Sequence, residues 1–213
     1  MLKKESWQWQ AMPSLNEVKT LGGVGSVLTL LAIVPTAGVV LAIIGLILVL
    51  IALKYASDIL GDPKIFNNML YAVVLGIIGL VVGAVVVVAV VFQAMGLGYL
   101  SSSFAYTAPS TVAAGDIMGM LGTILIGLVA VWVLFLVSSI FLRRSYGELG
   151  RRLNVHLFGT AALLYFIGAI LTIILIGFLL IFVAEILFIV AFFSINTQVP
   201  PPTPTIQPAQ PSM

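Results

Sequence analysis

Apolar residues run through this chain in blocks too long for a globular core. Lys19 and Lys54 bracket an uncharged stretch from Thr20 to Leu53. Further uncharged stretches run from Ile65 to Gly115, from Ile117 to Leu142 and from Leu157 to Ala184. Glu185 interrupts the last of these, and apolar residues resume to Ile195. A helix needs about 20 apolar residues to cross about 30 Å of hydrocarbon. Lipid offers no partner for unpaired backbone groups, so spanning helices are the expected form. The alternating pattern of a membrane β-barrel is absent.

The first stretch is too long for one crossing helix and slightly short for two. At its midpoint stands Val34-Pro35-Thr36-Ala37-Gly38. Pro35 lacks an N–H and its ring clashes with the preceding turn. Gly38 tolerates the positive φ that tight turns need. Upstream, Ser14-Leu15-Asn16-Glu17 matches a capping box. The pattern predicts a helical hairpin, Leu15 to Val34 and then Ala37 to Ala56, with one long helix kinked at Pro35 as the alternative. The last stretch, Leu157 to Ile195, would be about 58 Å long as a single helix. No Pro divides it, and Gly177 is its one plausible turn. Between the hairpins lie two longer spans, roughly Asn68 to Met95 and Ile117 to Leu142. The fold class is therefore all-α, a polytopic transmembrane bundle. Six helices are favoured, with four or five as the alternative.

Composition supports the membrane class and removes others. Apolar residues make up 62% of the chain and charged residues 8%, against roughly 45–50% and 25% in soluble domains. There is 1 His and no Cys. A soluble enzyme, a disordered chain, a disulfide scaffold and a thiol-ligated metal site are thereby excluded.

The basic residues set an orientation. Lys and Arg favour the cytoplasmic side of short loops. With six helices, Lys3, Lys4 and Lys19, the loop from Lys54 to Asn67, and the loop from Arg143 to His156 all fall on one side. The opposite side receives Gly96 to Asp116, which holds no basic residue, and two tight turns. The expected location is the plasma membrane, with both termini cytoplasmic. Opening the first hairpin would move three lysines outside, which argues against the kinked helix.

Three regions follow. Residues 1–14 form an interfacial segment, with Trp7 and Trp9 at the membrane surface. The apolar run begins too late and runs too long for a cleaved leader. Residues 15–195 form the transmembrane domain. Residues 196–213 form an uncharged tail with six prolines, expected as polyproline II or disorder. The outer loop carries Tyr99, Phe104 and Tyr106, and Asp116 is expected to cap the following helix.

Candidate chemistry is sparse. No His pair, phosphate-binding loop or nucleophile elbow occurs, and His156 stands alone. No enzyme activity, cofactor, metal or nucleic-acid partner is expected. Glu185 lies about eight residues past Gly177, near mid-membrane, where a carboxylate is costly and faces a bundle interior or an aqueous cavity. Tyr165 sits midway along the fifth helix at similar depth, so the two side chains are expected to meet or share a polar partner. A proton or cation role and a hydrogen-bonded structural role both remain open for Glu185. The cluster Arg143, Arg144, Arg151 and Arg152 suits anionic lipid head groups or a soluble phosphate, or marks topology alone. Gly76, Gly79 and Gly83, and Gly115 with Gly119, have the spacing that lets helix backbones approach. They suit packing within the protomer, a homo-oligomer or a membrane-complex partner.

Several segments carry a resemblance. They include Val18-Lys19-Thr20-Leu21-Gly22-Gly23, Leu53-Lys54-Tyr55-Ala56-Ser57-Asp58, Ile65-Phe66-Asn67-Asn68 and Phe141-Leu142-Arg143-Arg144-Ser145-Tyr146. With the stretch from Leu157 to Ile195, they resemble an uncharacterised, largely archaeal multipass membrane family known only as a domain of unknown function. The resemblance covers most of residues 15 to 195. It implies no activity and transfers no functional residue. The leading expectation is a non-enzymatic structural or accessory membrane component. The alternative is a small ion or solute transporter that uses Glu185.

Overall fold

The structure is a computed structural model that describes residues 13–103 and 114–197. The described residues form six α-helices: α1 (Leu15–Leu30), α2 (Gly38–Leu60), α3 (Pro63–Ser103), α4 (Ala114–Leu153), α5 (His156–Leu171) and α6 (Ile176–Phe193). Single 3-10 turns, Leu31–Ile33 and Thr172–Ile174, extend α1 and α5. Five segments are long and apolar enough to cross a membrane: Gly38–Leu60, Pro63–Met95, Ile117–Leu153, His156–Ile174 and Ile176–Phe193. With 16 residues, about 24 Å, α1 falls just short on its own.

The capping box opens α1 where the sequence places it. The Ser14 N–H donates to Glu17 Oε2 at 2.8 Å, and the Glu17 N–H donates to Ser14 Oγ at 3.3 Å. Both long runs fold back as hairpins, so the single kinked helix is set aside. The turn residues differ from those expected. The left-handed residues are Thr36 (φ 70°) and Leu175 (φ 64°), not Gly38 and Gly177. The two glycines instead begin the returning helices at points of close approach. A Cβ on Gly38 would run into the Ala32 carbonyl, and one on Gly177 into the Gly168 carbonyl.

The helices also run further than the uncharged stretches. α2 continues to Leu60, where Gly61 (φ 63°) takes the left-handed C-terminal position. α3 and α4 have 41 and 40 residues, about 60 Å each. The expected loop at Arg143 to His156 is helical through Leu153, so the four arginines are helical residues. The loop at Lys54 to Asn67 shrinks to Gly61 and Asp62. The reason is physical: charge does not end a helix, whereas a left-handed glycine before a proline does. The outer loop likewise shortens, since α3 reaches Ser103 and α4 begins at Ala114. Asp116 is the third residue of α4 and not its cap. Trp7, Trp9, Phe104, Tyr106, the Tyr99 side chain and the proline-rich tail after residue 197 lie outside the description.

Each helix packs on the next, and α6 returns to α1, closing a ring in chain order. The ring is held where side chains are small or aromatic. α1 and α2 cross at Gly25 and Gly45: a Cβ on Gly45 would stand 2.5 Å from the Gly25 carbonyl oxygen. Phe192 of α6 lies against Gly22 of α1, and Lys19 Nζ donates to the Ile195 carbonyl at 3.2 Å. α4 is pinned to α3 by two buried serines. Ser138 Oγ donates to the Ala72 carbonyl at 2.7 Å and Ser145 Oγ to the Ile65 carbonyl at 2.6 Å. In lipid such bonds replace water as partners for the hydroxyls.

The helices are unequal in reach. Trp132 Nε1 donates to the Ala169 carbonyl at 3.2 Å, which aligns α4 with α5. From Ala169 the chain turns at Leu175, about 9 Å on. From Trp132, α4 extends about 27 Å in the same direction to Ala114. The α3–α4 pair therefore projects roughly 18 Å past the level of the α5–α6 turn. Leu80, Phe92, Met118 and Ile126 on its flanks are 72–74% exposed.

Candidate functional site

Two polar regions stand out in this apolar ring. The first surrounds Glu185, near the middle of α6. Tyr165 comes from α5 and Tyr146 from α4. Both tyrosine rings contact Phe188, which follows Glu185 by three residues on α6. So the fold gathers Tyr165 and Tyr146 on the turn of α6 that follows Glu185, and sequence reasoning missed Tyr146. Among the described residues Glu185 makes no hydrogen bond and no ion pair, and its side chain is only partly buried.

An aromatic cluster encloses this region on the side of the charged helix ends. The Tyr146 ring stacks on Phe188 at 4.2 Å and on Phe158 at 5.8 Å, and meets Phe192 edge-on at 6.1 Å. Tyr165 contacts Phe135 at 6.1 Å and Phe188 at 6.4 Å. Tyr146, Phe158, Phe188 and Phe192 belong to the central core with Val18, Leu53 and Ile65. Four helices thus contribute to it besides α1 and α2.

The second region is the charged end. Asp62 is the N-cap of α3: its Oδ1 accepts the Lys64 N–H at 3.1 Å, with Pro63 between them. Its Oδ2 pairs with Arg152 Nη2 at 2.8 Å. The Lys64 N–H, and behind it the Arg152 guanidinium, hold the Asp62 carboxyl below its usual range against the opposing effect of burial. Ser57 Oγ donates to the Asp62 carbonyl at 2.9 Å. Glu148 pairs with Arg151 and, at 3.2 Å, with Arg152.

The four arginines consequently divide. Arg152 is committed to Asp62 and Glu148, and Arg151 to Glu148. Arg143 and Arg144 have no carboxylate partner among the described residues; they lie over Phe166 at 5.5 Å and Phe141 at 5.8 Å. His156 is the exposed first residue of α5. No group of three or more His, Cys, Asp or Glu suited to a metal occurs among the described residues.

The family model described as "Protein of unknown function (DUF996)" matches residues 41–186, from early α2 to Ile186 in α6. The chain belongs to the DUF996 family. A curated relative, the uncharacterized protein MJ1644 of Methanocaldococcus jannaschii, is 35% identical over 181 residues, covering 85% of this chain and 93% of that protein. No solved structure matches the chain. The DUF996 match includes Asp62, the four arginines, Tyr146, Tyr165 and Glu185, and leaves out α1.

Within the DUF996 segment the predicted glycines take up different positions. Gly76, Gly79 and Gly83 face α4, where an added Cβ would stand at ordinary contact distance, 3.8 Å from Ser138, 3.6 Å from Leu134 and 3.7 Å from Val131. A Cβ on Gly119 meets nothing within 4 Å among the described residues. Gly115 is helical, and its surroundings lie outside the description. The tight crossings use Gly25 with Gly45 and Gly168 with Gly177 instead. Two of these, Gly168 and Gly177, belong to opposite sides of a turn, so no spacing within one helix marks them. The Asp62 cap had a readable signal, Gly61-Asp62-Pro63: glycine after one helix, a capping acid, then proline at the first helical position.

Proposed function

We propose that this chain is a non-enzymatic structural or accessory component of the plasma membrane that acts through helix packing. The charged end and both termini face the cytoplasm, since Lys19, Lys54, Lys64 and the four arginines gather there. One observation carries the reading. Phe188 and Phe192 lie between Glu185 and the charged end of the ring, and with Tyr146 and Phe158 they fill the ring interior there. A filled interior leaves the outer faces of the helices as the working surface. The projecting α3–α4 pair offers most of it.

Mild extraction from the native membrane, followed by identification of copurifying chains, tests the proposal. A partner in fixed stoichiometry, released by Leu80→Trp or Ile126→Trp, is the expected result. Both positions are exposed and tolerate a bulky apolar side chain in lipid. A lone protomer under the mildest extraction contradicts it.

A second reading has one observation in its favour, the grouping of Glu185 with Tyr165 and Tyr146. In that reading the chain is a small transporter in which Glu185 carries a proton or binds a cation.

A further inference from the structure

Between α3, α4 and α5 the charged end opens into a crevice of about 580 Å³. Lys64 and Asn68 line it from α3. Arg143, Arg144 and Arg151 line it from α4, with Glu148 beside them. Four cations face one carboxylate, and that carboxylate is already paired with Arg151 and Arg152. Arg143, Arg144 and the Lys64 ammonium have no carboxylate partner among the described residues.

The spacing along α4 builds this wall. Positions 140, 143, 144, 147 and 151 recur at three- and four-residue steps, so they share one helix face. At the centre stands Gly147, where an added Cβ would meet nothing within 4 Å among the described residues. The absent side chain leaves the room that the surrounding cations do not fill. Ile140 and Phe166 form the remaining wall. Arg143 stacks on Phe166 at 5.5 Å, which holds its planar donor fork at the apolar boundary. Such forks match phosphate oxygens with paired N–H donors.

We propose that this crevice binds the phosphate of an anionic phospholipid head group. Lys64, Arg143 and Arg144 supply the charge, Asn68 supplies hydrogen bonds, and Ile140 with Phe166 receives the start of the acyl chains. The apolar wall favours a phosphate carried on a lipid over free phosphate. Arg152, which the sequence grouped with the other arginines, has no part in the site. The proposal stands independently of the accessory role.

The test uses the full chain in a neutral detergent. Native mass spectrometry measures retention of phosphatidylglycerol against phosphatidylcholine, with inorganic phosphate as a competitor. The expected result is preferential retention of phosphatidylglycerol that millimolar phosphate does not displace. Arg143→Gln with Arg144→Gln should lower that retention roughly thirty-fold, at about 1 kcal/mol per cation. Gly147→Phe, at a position where an added Cβ meets nothing within 4 Å among the described residues, puts its ring into the crevice and should remove retention without lowering the unfolding temperature in phosphatidylcholine. Lys64→Gln, at an exposed helix start, should weaken it less. Equal retention of both lipids, displacement by inorganic phosphate, or retention unchanged by a folded Gly147→Phe variant overturns the proposal.

Discussion

Arg152 at the end of α4 and Asp62 at the start of α3 pair at 2.8 Å across 90 residues of sequence. The pair closes the charged end of the α3–α4 hairpin, and the same aspartate caps α3. A folded-state carboxyl held below its ordinary value of 3.8 stabilises the fold above that pH. The contribution is lost as pH falls through the lowered value. Thermal unfolding followed by circular dichroism in neutral detergent should therefore show stability dropping below about pH 3.8. Asp62→Asn should remove that acid-sensitive component and lower stability at neutral pH. An unchanged pH profile in Asp62→Asn would refute the assignment.

The crossing of α1 and α2 depends on two bare backbones. A Cβ on Gly45 would meet the Gly25 carbonyl at 2.5 Å and the Thr29 amide nitrogen at 2.7 Å. Backbone cannot swing aside as a side chain can, so Gly45→Ala should cost about 1–3 kcal/mol. Gly119→Ala should behave oppositely, since its Cβ meets nothing within 4 Å among the described residues. It should gain about 0.5–1 kcal/mol from helix propensity. Denaturant unfolding of the two variants side by side checks the opposite signs.

Leu175 holds a left-handed backbone (φ 64°) with its side chain 74% exposed. The conformation costs an ordinary residue roughly 1–2 kcal/mol. Leu175→Gly should relieve part of that and raise stability by about 1 kcal/mol. Gly61→Ala, at φ 63°, should lose a comparable amount. Loss of stability in Leu175→Gly would show that the exposed leucine is held by contacts that outweigh the strain.

The chain has no cysteine, so single-cysteine variants report sidedness without background. Lys54→Cys and Arg151→Cys should react with a membrane-impermeant maleimide only from the cytoplasmic side. Thr36→Cys and Leu175→Cys, at the hairpin turns, should not react from that side. Labelling of all four from one face would overturn the orientation.

Much of this architecture is legible in the sequence because membrane folding rests on a coarse signal. The uncharged runs gave six helices, and Pro35 and the Ser14–Glu17 capping box marked real boundaries. The start of α3 and the end of α4 differ from the pattern's prediction because charge is a weak loop signal. Arg143 to Arg152 stay helical through pairs such as Glu148 with Arg152, four residues apart. The first turn falls where Pro35 predicts it, but its left-handed residue is Thr36, and at the second turn it is Leu175, because Gly38 and Gly177 are needed for contact. The site was half visible. Glu185 is conspicuous along the chain, but Tyr146 reaches it only through the closure of α4, α5 and α6. Gly147 is a space, and only the assembled crevice shows what the space is between.

The claim that the ring interior is filled, and that the chain works through its outer surface, is tested most directly by flux. Purified protein in liposomes with a pH-sensitive dye inside should pass protons no faster than protein-free liposomes. Glu185→Gln should leave that baseline unchanged. A proton or cation flux above the baseline that Glu185→Gln abolishes would contradict the account and establish the Glu185, Tyr165 and Tyr146 group as a transport site.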